Sequence, residues 1–296
     1  MSRLRSPHVG MLLVVCIWGG NFTASKLAFP TLPPLAFTAI RFVAATVFLW
    51  AIVGRSELRG PPAPGLFWPL ILMGVVGNTL YQICFITGLA RTSATNTSLI
   101  LASMPTFVTV AAGALGMEKI TPRQWLALAL ATAGVVAVLL AGGLEVAMGD
   151  WRGDALVLGS VGCWAAYTIG LRKLGGRIST MSVTAWTLLT GMPGLVVVGW
   201  PSLGRLDWQA VTPVAWAALA YSTLLSLVAA YLLWNRAVQK LGAAPAALYT
   251  CLMPFIATAI AALVLGENPT PIHFLGGVMI VAGVLLGNAR MVSPEG

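Results

Sequence analysis

Charge is what this sequence has least of. Only 8% of its 296 residues are Asp, Glu, Lys or Arg, against about 25% in a soluble globular domain. The eight acids, Glu57, Glu118, Glu145, Asp150, Asp154, Asp207, Glu267 and Glu295, all fall in loops or at the ends of apolar runs, and so do the two histidines, His8 and His273. A membrane metalloprotease needs a His-Glu-x-x-His pair and a serine hydrolase needs a buried histidine beside its nucleophile, so neither can be assembled and no enzymatic activity is expected. No mid-membrane carboxylate or imidazole is available as a proton relay of the usual sort. Cys16, Cys84, Cys163 and Cys251 show no Cys-x-x-Cys spacing and no neighbouring histidine, which argues against a metal site and leaves them as small core residues. No cofactor is implied.

What is present is apolar surface. Hydrophobic residues make up 58% of the chain and the mean hydropathy is +0.89. They gather into ten runs, approximately 9 to 29, 34 to 53, 66 to 90, 95 to 116, 122 to 142, 153 to 172, 182 to 200, 212 to 235, 244 to 265 and 270 to 288. About 20 residues of helix cross a hydrocarbon layer roughly 30 Å thick, so the pattern predicts an all-α integral membrane protein of ten transmembrane helices. Arg3 and Arg5 resemble the start of a signal peptide, but the apolar stretch behind them runs past 20 residues without a convincing cleavage site, so the first helix is expected to be retained. The turns carry Pro30 to Pro34, Gly60 to Gly65, Gly142-Gly143 and Pro269 to Pro271, and nothing between the runs is large enough for a receptor domain or scaffold.

The net charge of +9 comes from residues scattered singly at run ends, which suits membrane orientation better than nucleic acid. With both termini in the cytoplasm, inner segments carry 12 Lys and Arg and outer segments 4, with Arg41 inside a span. That is a positive-inside pattern. An offset of 149 pairs Pro105 with Pro254, Glu118 with Glu267, Pro122 with Pro271 and Gly134 with Gly283. The expected organisation is therefore two repeats, 1–148 and 149–296, each of five helices. Five is an odd number, so the second repeat is inverted relative to the first, the architecture of many secondary transporters with a central site.

Two stretches stand out within the apolar background: Trp18-Gly-Gly-Asn-Phe-Thr-Ala-Ser-Lys26, and, 146 residues on, Trp164-Ala-Ala-Tyr-Thr-Ile-Gly-Leu-Arg-Lys173. Each has an indole, a polar middle and a basic end. With Pro34-Leu-Ala-Phe-Thr-Ala-Ile-Arg41-Phe42, Thr92-Ser93-Ala94, Gly242 through Tyr249, Met253-Pro254 and Gly266-Glu267, the chain resembles the drug/metabolite transporter superfamily, EamA type, over nearly its whole length. Within it the sequence looks most like the YddG-type exporters of aromatic amino acids. The resemblance implies a single chain in the bacterial inner membrane, working as a monomer, that alternates a central cavity between the two sides. Its partners would be the lipid bilayer and a small-molecule substrate, such as an amino acid with an aromatic or apolar side chain; nucleic acid would not be one. Export of drugs or other metabolites is the alternative within the superfamily, and a channel the alternative outside it. Without a proton relay, flow is expected to follow the substrate gradient or to couple through other groups.

Candidate substrate-binding residues are Trp18, Asn21, Arg41, Tyr81, Gln82, Trp164, Tyr167, Thr168 and Tyr231. Asn21 and Thr168 need partners at membrane depth, and an aqueous cavity or interhelical bonding would supply them. Arg41 costs roughly 2.5 to 3.5 kcal/mol at mid-helix on insertion scales, so it either snorkels to the interface or carbonyls, or faces the cavity to meet an anion. Lys26 is an anchor or a second cavity cation. Asn78, Asn96, Trp234 and Asn235 are further polar or aromatic candidates, while Trp68, Trp125, Trp151, Trp200 and Trp208 lie near run ends as expected of an interfacial belt. Pro105 and Pro254 are expected to interrupt their helices, as fixed kinks or as gating points.

Overall fold

The computed structural model describes residues 6–52, 64–89, 91, 100–141, 151–256, 259 and 271–288, the side chains of Phe22, Lys26, Pro64, 138–141 and His273 excepted. Among them there is no strand, and the helices are labelled here α1 Pro7–Ala28, α2 Pro34–Ile52, α3 Gly65–Leu89, α4 Ile100–Ala114, α5 Pro122–Ala141, α6 Trp151–Leu174, α7 Thr180–Leu203, α8 Pro213–Leu241, α9 Ala243–Ile256 and α10 Pro271–Asn288. Six of these, α1, α2, α3, α6, α7 and α8, are long and apolar enough to cross a membrane. Asn96, Glu267 and the Thr92-Ser93-Ala94 segment lie outside the described residues, as does the Lys26 side chain.

Proline marks the helix starts. α1, α2, α5, α8 and α10 each begin on one, where the missing N–H is no loss because the first turn has no carbonyl to receive it. Ser179 and Thr212 cap α7 and α8 by accepting from the N–H of Ser182 and Ala215. The apolar run of α8 gives way after residue 235 to a polar stretch that stays helical as far as Leu241, because Arg236 and Lys240 lie at its end rather than breaking it.

Helices pack in reciprocal pairs. α3 lies on α6 and α8 lies on α1; α3 meets α7 and α8 meets α2; α2 pairs with α7, α4 with α9, and α5 with α10. The α5–α10 contact is the most extensive. A Cβ at Gly134 would lie 2.6 Å from the Gly276 carbonyl oxygen and 2.8 Å from the Ile280 side chain, and one at Gly283 would lie 2.7 Å from the Ala127 carbonyl oxygen and 2.8 Å from Ala131. Small residues let backbones approach in this way where lipid removes the hydrophobic drive for association.

α3 and α8 share an irregularity. Each contains a π-helical segment, Val75–Leu80 and Ser222–Ala229, and the 149-residue offset carries 75–80 onto 224–229. α4 breaks at Ser103, before Pro105, and α9 tightens to a 3₁₀ turn at Tyr249–Cys251, before Pro254. The five expected belt tryptophans are all exposed. The cysteines depart from expectation: Cys251 is buried, Cys84 and Cys163 are half-buried, and Cys16 is exposed on the outside of its helix, where a thiol is apolar enough to face lipid.

One end of the bundle is tied by Glu118, in the α4–α5 turn. Its carboxylate accepts hydrogen bonds from the backbone N–H groups of Ala243 and Ala244 at the start of α9 and lies 3.5 Å from Arg172 Nε. Arg172 also donates to the Gln239 carbonyl at 3.3 Å. Gly242 makes room for the carboxylate, with φ +106 and a virtual Cβ 2.6 Å from Glu118 Oε1. A carboxylate on a helix N-terminus is favoured by the unpaired N–H groups and the helix dipole. Replacing Glu118 with Ala is expected to lower stability in detergent by about 1.5–3 kcal/mol, the worth of hydrogen bonds to a charged group. An unchanged melting temperature would show that this tie is slack.

Candidate functional site

Helical spacing brings six aromatic rings together. Trp164 and Tyr167 are three residues apart on α6, Tyr231 and Trp234 three apart on α8, so each pair shares a face; Trp18 comes from α1 and Tyr81 from α3, directly after the π segment. Trp164 is the centre. Its ring centroid is 5.5 Å from Trp18, 5.2 Å from Tyr81, 5.3 Å from Tyr167, 5.7 Å from Tyr231 and 5.6 Å from Trp234. The Trp18–Trp164 and Trp164–Tyr231 pairs meet edge-on, at 78° and 76°, the geometry that sets ring edges against ring faces. Trp164, Tyr167, Tyr231 and Trp234 are all buried.

Part of the polar trim of this cluster is satisfied within the protein. Trp18 Nε1 donates to the Ser226 carbonyl at 3.2 Å, Tyr167 OH to Asn235 Oδ1 at 2.9 Å, and Asn235 Nδ2 to Thr184 Oγ1 at 2.8 Å. Asn78 Nδ2 and Thr79 Oγ1 donate to the Thr187 and Gly191 carbonyls. Asn235 and Asn78 therefore act as interhelical bonds. Other atoms are buried without a partner among the described residues: Asn21 Oδ1, Thr168 Oγ1, Trp164 Nε1, Trp234 Nε1 and Arg41 Nε.

Arg41 is buried, 7% exposed. It does not snorkel, and its hydrogen bonds go to side chains: Nη1 to Ser222 Oγ at 2.9 Å and Nη2 to Gln82 Oε1 at 3.0 Å. The guanidinium carbon lies 5.5 Å and 5.6 Å from the Phe37 and Phe42 ring centroids, within cation–π range. No carboxylate pairs with it among the described residues. A buried cation held only by neutral acceptors keeps most of its desolvation cost, and the arrangement can receive an anion by exchanging those acceptors for a carboxylate, whose two oxygens match the guanidinium fork.

Of the nine residues expected from sequence, five, Trp18, Tyr81, Trp164, Tyr167 and Tyr231, join the ring cluster; Arg41 and Gln82 form the cationic pair; Asn21 and Thr168 contribute unpaired oxygens. Ser222, which shares Arg41, was not anticipated, whereas Trp234, one of the further candidates, lies at the heart of the cluster. The Ser222-Thr223 and Ser226 hydroxyls in an apolar run were the available signal for the first. For Trp234, the spacing of three from Tyr231 places both rings on one face of α8.

Comparison with known proteins gives the context. The EamA-like transporter family model matches residues 6–140 and again 151–288. A protein of Streptantibioticus cattleyicolor named "probable terminal-alkyne amino-acid exporter" is 28% identical, the match covering 97% of this chain and 95% of that one. An Archaeoglobus fulgidus protein named only as an uncharacterized transporter is 28% identical over 96% of this chain and 97% of its own, and a Salmonella typhimurium "probable amino-acid metabolite efflux pump" is 27% identical over 98% and 94%. A crystal structure with 18% sequence identity superposes with a TM-score of 0.79, covering 98% of this chain and 99% of the other, and shows the fold. Those relatives carry the names of transporters, not enzymes, and the family match spans nearly the whole length: the chain belongs to the EamA-like transporter family.

Proposed function

We propose that the protein exports amino acids with aromatic or apolar side chains across the bacterial inner membrane, by alternating access between two inverted five-helix halves with both termini in the cytoplasm. The observation that carries this reading is Arg41, a buried cation with no acid partner among the described residues, whose acceptor Gln82 adjoins Tyr81 of the ring cluster. The substrate carboxylate takes the place of Ser222 and Gln82 on the guanidinium, and the substrate side chain enters among the rings. Ser222 belongs to α8 and Arg41 to α2, so the exchange releases one polar tie between the halves and couples binding to their movement. The reciprocal helix pairs, the matched π segments and the double family match support the repeat. The amino-acid exporter and efflux-pump names of two relatives support the substrate class and with it a place near the YddG-type exporters.

The test is flux in proteoliposomes. Labelled phenylalanine is expected to leave faster when unlabelled phenylalanine is present on the far side, the trans-stimulation of a carrier. Flux without it would identify a channel instead. Growth protection of overexpressing bacteria against toxic aromatic amino-acid analogues is expected alongside, and protection confined to unrelated drugs would transfer the assignment to multidrug export.

A further inference from the structure

Two indole N–H groups in the ring cluster have no acceptor among the described residues. Trp164 Nε1 and Trp234 Nε1 are buried and unpartnered, their rings 5.6 Å apart. An indole nitrogen can only donate, and a buried donor without an acceptor costs about 1–3 kcal/mol. Trp18, in the same cluster, shows the ordinary solution, a backbone carbonyl at 3.2 Å. One helical turn beyond Trp164, on the same face of α6, Thr168 is fully buried and its Oγ1 is also unpartnered. Among the cluster's buried, unpartnered atoms are thus two neutral donors and, in Thr168, a hydroxyl that can donate or accept a hydrogen bond, with the guanidinium of Arg41 committed elsewhere in the site.

Resting on the transport reading above, we infer that these three groups form a specificity subsite for a ring hydroxyl, so that the preferred substrates are phenolic amino acids rather than phenylalanine. A phenol oxygen accepts from an indole N–H while its proton goes to Thr168 Oγ1, and the substrate carboxylate remains on Arg41. An unsubstituted benzyl ring fills the same space and leaves all three protein groups unpaired. Among the described residues a second carboxylate finds no cation in the cluster. Sites that hydrogen-bond a substrate hydroxyl discriminate strongly against the analogue lacking it, because their own polar groups are then stranded.

The experiment compares binding and proteoliposome flux of tyrosine and phenylalanine on the full-length protein. Wild type is expected to prefer tyrosine by about tenfold or more. Trp164→Phe and Trp234→Phe, which keep a ring and delete the N–H, and Thr168→Val, which keeps the shape and deletes the hydroxyl, are each expected to bring that ratio several-fold closer to one, tyrosine binding weakening by a larger factor than phenylalanine binding. Should a tryptophan variant fail to fold, Thr168→Val carries the test alone. Equal affinity of wild type for the two amino acids, or variants that weaken both by the same factor, would overturn the subsite and leave the carboxylate reading standing. If neither amino acid binds, or their methyl esters bind as well as the free acids, the transport reading falls, and the subsite with it.

Discussion

Arg41→Gln is expected to carry carboxylate substrates at about a hundredth of the wild-type rate or less, while melting at an unchanged or higher temperature. The two halves of that result have one cause. The guanidinium is buried without a counter-ion among the described residues, so in the empty protein its charge is a cost only partly offset by Ser222, Gln82 and two phenyl rings. Glutamine keeps a donor for Ser222 or Gln82 and removes the charge, which relieves that cost. When a carboxylate arrives, the same change removes its partner, a loss of about 2–5 kcal/mol for a desolvated charge pair. Arg41→Lys is expected to fall between, since an ammonium supplies charge without the planar fork. Efflux from proteoliposomes and thermal unfolding in detergent, on the same preparations, check both halves. A Gln variant that moves carboxylate substrates at the wild-type rate would remove Arg41 from the site.

Gly77→Leu is expected to yield no correctly folded protein, and Gly77→Ala to lose about 1–3 kcal/mol or more, the cost of overpacking. A Cβ at residue 77 would lie 2.4 Å from Tyr167 Cδ2 and 2.7 Å from Tyr167 Cβ. The tyrosine has no room to retreat: it is fully buried, packed on Trp164 and tethered by its hydroxyl to Asn235, which is held by Thr184. On the other side of the π segment a Cβ at Gly191 would lie 2.6 Å from the Gly74 carbonyl oxygen and from Asn78 Cβ, so α3 is pressed against both α6 and α7. Monodispersity of a fluorescent fusion on size exclusion measures the effect. Tyr167→Ala in the Gly77→Ala background should restore part of the loss, as coupling through a shared contact requires. A monodisperse Leu variant at wild-type yield would contradict the close packing.

These two sites differ in how far they could be read from the sequence. Arg41 announces itself: one charge in an apolar run is conspicuous at any depth, and only its partners needed coordinates. Trp18 and Trp164 were legible for a similar reason, as bulky residues beside polar ones in otherwise uniform helices. The proline-bearing turns before α2 and α10 were legible too. Gly77 was not, because a glycine in a membrane helix is commonplace and the significance of this one depends on a π segment. An i to i+5 hydrogen-bond pattern has no residue signature, since it comes from the neighbours the helix must fit rather than from its own propensities. The same blindness hid Ser222 and left Trp234 only among the further candidates, since their facing depends on how α8 turns through Ser222–Ala229. The length of α8 was underestimated because hydropathy ends before the helix does.

The α5–α10 contact bears on how the chain can change over generations. Gly134 rests on the backbone at 276 and 280, and Gly283 on the backbone at 127 and 131, so each stretch is the mould of the other. On the proposed repeat, Arg41 of α2 matches Thr190 of α7, so one copy carries the cation and the other does not. No such divergence is open to the two glycines: a methyl group gained on either helix meets main-chain atoms of its twin, which no rotamer can move aside. The halves can specialise at their centre only while they remain alike along this seam.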